Sequence, residues 1–143
     1  MPKYRYRLMA PGPTPVPESV LNKMALPIIH HRTKAFEEVV SRVREGLKWI
    51  YQTQNEVLIF AASGSGAMEA AVVNLMRRGD KALCINGGKF GERWGKICKG
   101  FDLAYDEIMV EWGKPVSVEE IKQRLEGEDY RAVFATASET STA

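Results

Sequence analysis

Cysteine is scarce in this chain, with only Cys84 and Cys98 among 143 residues. Two thiols make no disulfide framework, and such low usage points to a reduced, cytoplasmic setting. Histidine is as rare, and His30 and His31 stand side by side. Neither that adjacent pair nor the cysteines, 14 positions apart, has the spacing of a metal site. An excess of one charge is missing too. Lys plus Arg is 20 against 18 for Asp plus Glu, a net charge of +2. A dedicated nucleic-acid binder carries a strong basic excess, so no nucleic-acid partner is expected. No run of 18 apolar residues exists, so no membrane span is expected. The basic start, Met1 to Leu8, leads into prolines at 11, 13, 15 and 17 rather than an apolar segment, which is not the pattern of a secretory signal.

What is present suits a globular α/β protein. The chain is 45% hydrophobic and 27% charged, and its length can bury a core without covalent staples. Residues Ala10 to Pro17 read as an extended arm or turn, because each proline fixes its own φ and restrains the residue before it. From Thr33 to about Gln54, Phe36, Val39, Val40, Val43, Leu47, Ile50 and Tyr51 recur at helical spacing, with Thr33 as N-cap. Glu56 to Ala62 is a continuous apolar run, the pattern of a strand buried on both faces. Met68, Ala71, Val72, Leu75 and Met76 predict a second helix, closed by Arg77, Arg78 and Gly79.

The alternation goes on: a strand at Lys81 to Asn86, a helix marked by Phe90, Trp94, Ile97, Cys98 and Phe101, and a strand between Leu103 and Val110. Ser117 and Glu120 form a capping-box pattern that opens a short helix, and Arg131 to Thr136 is the next strand. Repeated strand, helix, strand predicts a mainly parallel sheet with right-handed crossovers. The chain then stops at Ala143 without a covering helix, so it reads as cut off rather than finished.

Three loops could carry chemistry. Ser63-Gly64-Ser65-Gly66 follows an apolar run and opens a helix. Unpaired N–H groups at such an N-terminus favour an anion, and the two hydroxyls add donors. A tight turn with Ser63 as N-cap is equally open at this point. The Gly-x-x-x-x-Gly-Lys-Ser/Thr pattern is absent, Glu69 occupies the third glycine position of a dinucleotide fingerprint, and Gly64-Ser65-Gly66 is one residue short, on each side of the serine, of a nucleophile elbow. In the second loop, Asn86 to Trp94, Phe90 either stacks on a flat ring or is a core aromatic. The third, Glu139-Thr140-Ser141-Thr142, is a hydroxyl cluster after a strand or simply a polar end.

Taken in order, Pro11-Gly-Pro-Thr with Val16-Pro17, His31-Arg32 with Phe36, Ser63-Gly-Ser with Ala67-Met-Glu-Ala-Ala71, Gly79-Asp80, Asn86-Gly87, Phe90-Gly91 with Arg93, Trp112-Gly113 and Glu139 to Thr142 resemble the class V aminotransferases of the serine–pyruvate and alanine–glyoxylate group. The resemblance implies part of the large domain of a fold type I pyridoxal-phosphate enzyme. It implies residues 1–32 as arm and interface segment and 33–143 as the first part of the cofactor-binding α/β domain. It places Ser63, Gly64 and Ser65 on the cofactor phosphate, Phe90 on the pyridine ring, Thr140 at the ring's phenolic oxygen and Gly12 near the substrate. It further implies a homodimer, with His31-Arg32 near its interface, and small amino and keto acids as substrates. His30, Ala137 and Ala143 depart from the family pattern, where Gly, His and Gly are usual. No catalytic residue is expected in this segment, because the resemblance puts the Schiff-base lysine, its Asp partner and the carboxylate-binding Arg beyond residue 143. A nucleotide-binding domain and a non-catalytic assembly module are the competing classes, and other class V chemistries such as desulfuration or lyase reactions stay open.

Overall fold

The computed structural model describes residues 8–142; of the departures just named, Ala143 lies outside them. The chain forms two compact units, Met1–Ile59 and Phe60–Ala143.

In the first unit, α1 (Glu18–Met24) follows the proline arm, an element that the sequence pattern did not announce. Helix α2 (Lys34–Ile50) starts where expected, with Thr33 Oγ1 accepting from the Phe36 N–H at 3.4 Å. It ends four residues earlier than the periodicity suggested, and none of its residues is buried. His30 and His31 are exposed, their rings stacked with centroids 4.7 Å apart.

The expected strand at Glu56 to Ala62 does not form. A strand exists only through a ladder partner, and this run pairs with none of the three strands described. Glu56 is instead tied to α2 by ion pairs with Arg44 and with Lys48, the latter at 3.0 Å. Leu58, Ile59 and Phe60 are left 59–74% exposed.

The second unit holds α3 (Gly64–Leu75), β1 (Lys81–Asn86), α4 (Lys89–Gly100), β2 (Ala104–Met109), α5 (Val118–Gly127) and β3 (Ala132–Phe134). All three strands run parallel, as predicted, in the order β2-β1-β3. Helix α3 stops at Leu75, short of the expected Gly79. Gly79, at φ 96°, turns the chain into β1 instead, while Asp80 Oδ2 accepts from the Arg77 N–H at 2.7 Å. Such a positive φ suits glycine. Ser117 caps α5 as expected, accepting from the Glu120 N–H at 3.3 Å.

Central β1 explains the apolar run of its sequence. Successive side chains point to opposite faces. Ala82 and Cys84 join Val72, Met76, Cys98 and Phe134 on one face, while Leu83 and Ile85 join Ile108 on the other. Burying these side chains contributes about 25 cal/mol per Å² of apolar surface. The path leaves β1 through α4 to β2 on one flank, then returns through α5 to β3 on the other. That reversal opens a crevice beyond the carboxyl end of β1, where open α/β sheets bind ligands.

Candidate functional site

Helix α4 begins at this crevice without a cap of its own. Its N-cap is Gly88, with no side chain to accept from the first turn. The missing acceptors arrive from the loop after β3. Glu139 Oε2 accepts from the N–H groups of Phe90 at 3.0 Å and Gly91 at 2.9 Å, and Ser141 Oγ accepts from the Lys89 N–H at 2.9 Å. The Ser141 hydroxyl donates in turn to Glu139 Oε1 at 2.5 Å. A Cβ on Gly88 would stand 2.6 Å from the Glu139 side chain, so only glycine lets this cap close. Partial desolvation pulls the Glu139 pKa upward, but bonds from the Ser141 hydroxyl and from the N–H groups of Gly91, Ser141 and Phe90 outweigh it. Glu139 is therefore held below the usual carboxylate range. The third loop is thus more than a polar end: it fixes where α4 starts, and hence where Phe90 stands.

Phe90 is 36% exposed, which removes it from the core and leaves part of its ring open. One turn on, the Arg93 guanidinium lies 5.0 Å from the Phe90 ring centroid and donates to Ser65 Oγ at 2.7 Å. Phe90 and Ser65, 25 positions apart in the chain, are linked through one side chain. Below them Trp94, stacked on Phe134 with centroids 4.9 Å apart, donates from Nε1 to Thr136 Oγ1 at 3.3 Å and locks α4 to the end of β3.

The loop that opens α3 has no side-chain cap. Ser63 holds the N-cap position of a tight turn, but its side chain makes no capping bond. The Gly66 N–H is taken by the Ser63 carbonyl at 2.9 Å, which leaves the N–H groups of Gly64 and Ser65 as the first-turn donors without a partner among the described residues. A Cβ on Gly64 would meet nothing within 4 Å, so the space over the loop is open. A Cβ on Gly66 would meet the Ala62 Cβ at 2.6 Å, which reserves that position for glycine.

Thr140 follows the Glu139 cap, exposed, and its hydroxyl has no hydrogen-bond partner among the described residues. Gly12 lies in the first unit, exposed, with nothing within 4 Å of an added Cβ. A separate cavity of about 430 Å³ opens beyond the strand ends, lined by Val110, Lys114, Val116, Thr136, Glu139 and Thr142. It does not include Ser63, Phe90 or Thr140. Among the described residues no three His, Cys, Asp or Glu stand together as a metal site.

Hydroxyls, orphan N–H groups and a guanidinium at the α3 end, with a half-open aromatic ring beside them, form a donor set that fits a phosphorylated aromatic. Pyridoxal phosphate is such a molecule. Ser63, Gly64, Ser65 and Arg93 would face its phosphate side and Phe90 its ring. The sequence offered Ser65 and Phe90 as candidates; the contact of both with Arg93 and the Glu139 cap of α4 are not signalled there.

Known proteins similar to this chain carry two kinds of name. A soluble hydrogenase small subunit of Synechococcus sp. is 46% identical over 138 residues, 94% of this chain and 36% of that protein. An uncharacterized aminotransferase of Methanocaldococcus jannaschii is 43% identical over 94% of this chain and 35% of its own length. The L-aspartate–glyoxylate aminotransferase of Paracoccus denitrificans is 32% identical with the same coverage of each, 94% and 35%. Among solved structures, ureidoglycine–glyoxylate aminotransferase of Bacillus subtilis superposes with a TM-score of 0.86 over 99% of this chain and 38% of that one, at 24% identity, a likeness of fold. Alanine–glyoxylate aminotransferase of Nostoc sp. gives 0.75 over 82% of this chain and 32% of that one, at 29% identity. No protein-family profile matches. The chain therefore spans about a third of the length of the relatives it matches, and its α/β fold is that of part of an aminotransferase.

Proposed function

We propose that this chain, similar over 94% of its length to about a third of the length of two proteins named as aminotransferases, is the cofactor-holding part of a pyridoxal-phosphate-dependent aminotransferase. The enzyme moves an amino group between a small amino acid, of alanine or serine type, and a 2-keto acid such as glyoxylate or pyruvate. One observation carries this reading: Ser65 and Phe90 meet through Arg93 beside the open N-terminus of α3. When bound, the cofactor acts as the electron sink of the reaction.

This chain's residues then divide the work. Ser63, Gly64 and Ser65 bind the phosphate, and Phe90 supports one face of the ring. Thr140 offers its free hydroxyl to the ring's phenolic oxygen. Glu139 keeps α4 in register, so that Phe90 does not drift. Gly12 belongs to the substrate side on the resemblance alone. The chain works as a homodimer in a cytoplasmic setting, with the His30-His31-Arg32 segment and α2 toward the partner. The exposed face of α2 is consistent with that arrangement.

The test is an absorbance titration of the full protein with pyridoxal phosphate, followed by amino transfer from serine or alanine to glyoxylate. Saturable cofactor uptake with turnover is expected, and a protein that takes up no cofactor refutes the reading. A second reading, a soluble hydrogenase subunit, is favoured by the names of two relatives, 46% and 43% identical. Hydrogen uptake that does not depend on added pyridoxal phosphate would select it.

A further inference from the structure

We infer that Arg93 is a positioning residue that sets the Ser65 hydroxyl and the Phe90 ring as one unit for a phosphorylated aromatic ligand, an inference that rests on the cofactor reading above. Two independent contacts meet in this side chain. Arg93 NH1 donates to Ser65 Oγ at 2.7 Å, in a partly buried bond. Its Cζ lies 5.0 Å from the Phe90 centroid. Phe90 and Arg93 are three apart on α4, the spacing that puts side chains on one helix face.

The hydrogen-bond polarity decides what Ser65 can do. A guanidinium only donates, so Ser65 Oγ must accept from it. The hydroxyl proton of Ser65 is then turned away from Arg93, toward the open side of the loop, where Gly64 leaves room. A phosphate oxygen taking that proton would sit roughly 2.7 Å from Oγ, which brings a permanent positive charge close to the anion. Arg93 therefore acts on a phosphate both directly by charge and indirectly through the hydroxyl. Its planar fork can stack and donate at once, which a lysine cannot do.

The experiment compares the full protein with Arg93→Gln, Ser65→Ala and the double variant, measuring affinity for pyridoxal phosphate and for unphosphorylated pyridoxal. Melting temperature and the visible circular dichroism of the bound cofactor are recorded alongside. Arg93→Gln is expected to weaken pyridoxal phosphate binding about tenfold, and pyridoxal binding by twofold or less. The double variant is expected to be no more than about twofold worse than Arg93→Gln, since one residue acts largely through the other. Should Arg93→Gln not fold, Arg93→Lys keeps the charge, and it is expected to fall between the two for the phosphorylated ligand with altered dichroism. Equal losses for both ligands, no loss for either, or fully additive effects overturn the inference. If the unchanged protein binds neither ligand, the cofactor reading itself fails, and the inference falls with it.

Discussion

Removing the Glu139 carboxylate should loosen the first turn of α4 and little else. The amides of Phe90 and Gly91 are first-turn donors without intrahelical acceptors, so their protection from exchange rests on Glu139 at 3.0 and 2.9 Å. A hydrogen bond to a charged group contributes about 1.5–3 kcal/mol net, and a carboxylate at a helix N-terminus adds roughly 0.3–1 kcal/mol. The site is partly open, so water replaces some of this when the side chain is cut back. Glu139→Ala is therefore expected to cost about 2 kcal/mol locally. At about 1.4 kcal/mol per factor of ten, that is roughly a 30-fold loss of protection at Phe90 and Gly91, read by amide hydrogen exchange on the full protein.

Glu139→Gln keeps an acceptor oxygen and loses the charge, so about 1 kcal/mol, near fivefold, is expected. The pH dependence has a fixed sign. Glu139 has a lowered folded-state pKa, so its contribution is complete above the ordinary carboxylate value of about 4.3 and fades as pH falls through the lower folded value. The difference between the native protein and Glu139→Gln should close on acidification across that window. Unchanged exchange at Phe90 and Gly91 in Glu139→Ala, or a gap that widens with acid, would refute the capping argument.

Other outcomes follow from the same geometry. An added Cβ on Gly91 would meet the Ile85 carbonyl oxygen at 2.8 Å and the Asn86 Cα at 3.0 Å; neither can swing aside, so Gly91→Ala should destabilise by about 1–3 kcal/mol in thermal unfolding. Gly64→Ala, into open space, should leave the melting temperature nearly unchanged while lowering pyridoxal phosphate affinity, and the reverse pattern would deny the loop a ligand. Phe90→Ala should weaken cofactor retention by about 1 kcal/mol of stacking; lost stability with unchanged affinity would return the ring to a packing role. Borohydride reduction with pyridoxal phosphate, followed by peptide mapping, should give no stoichiometric lysine label within residues 1–143. Lys89, beside the Phe90 loop, is engaged with Glu92 at 3.4 Å and lies over the Trp112 ring at 5.7 Å.

Much of the second unit was legible because its signals are local. Lys81 to Asn86 forms the strand its apolar run indicated, since a central strand buries both faces. Thr33 and Ser117 cap the helices they precede because a cap needs only three residues of sequence. The run from Glu56 to Ala62 is more apolar than β1, yet it forms no strand. A run of this kind says that a segment needs cover on both faces, but it does not name the neighbour that supplies it. Here β1 already has β2 on one side and β3 on the other, and the run joins neither edge. Helix α1 was missed for a different reason: seven residues after a string of prolines leave too little periodicity to read.

The part of the site that escaped the sequence was long-range, but it left a trace. Gly88 at the start of α4 is a poor place for a helix to begin unaided, because it brings no side-chain acceptor to the first turn. A helix with an amphipathic body and an empty N-cap must find acceptors elsewhere, or leave its N–H groups to a ligand. The two helix starts of this site resolve that choice in opposite ways. At α4, Glu139 and Ser141 arrive about fifty positions downstream in the chain and close the end. At α3, the Ser63 side chain makes no capping bond, and a Cβ on Gly64 would meet nothing within 4 Å. A closed end and an open end, tied together by Arg93, would divide the labour of the proposed cofactor site: the capped helix would hold the ring's support still, and the uncapped one would stay free for the anion.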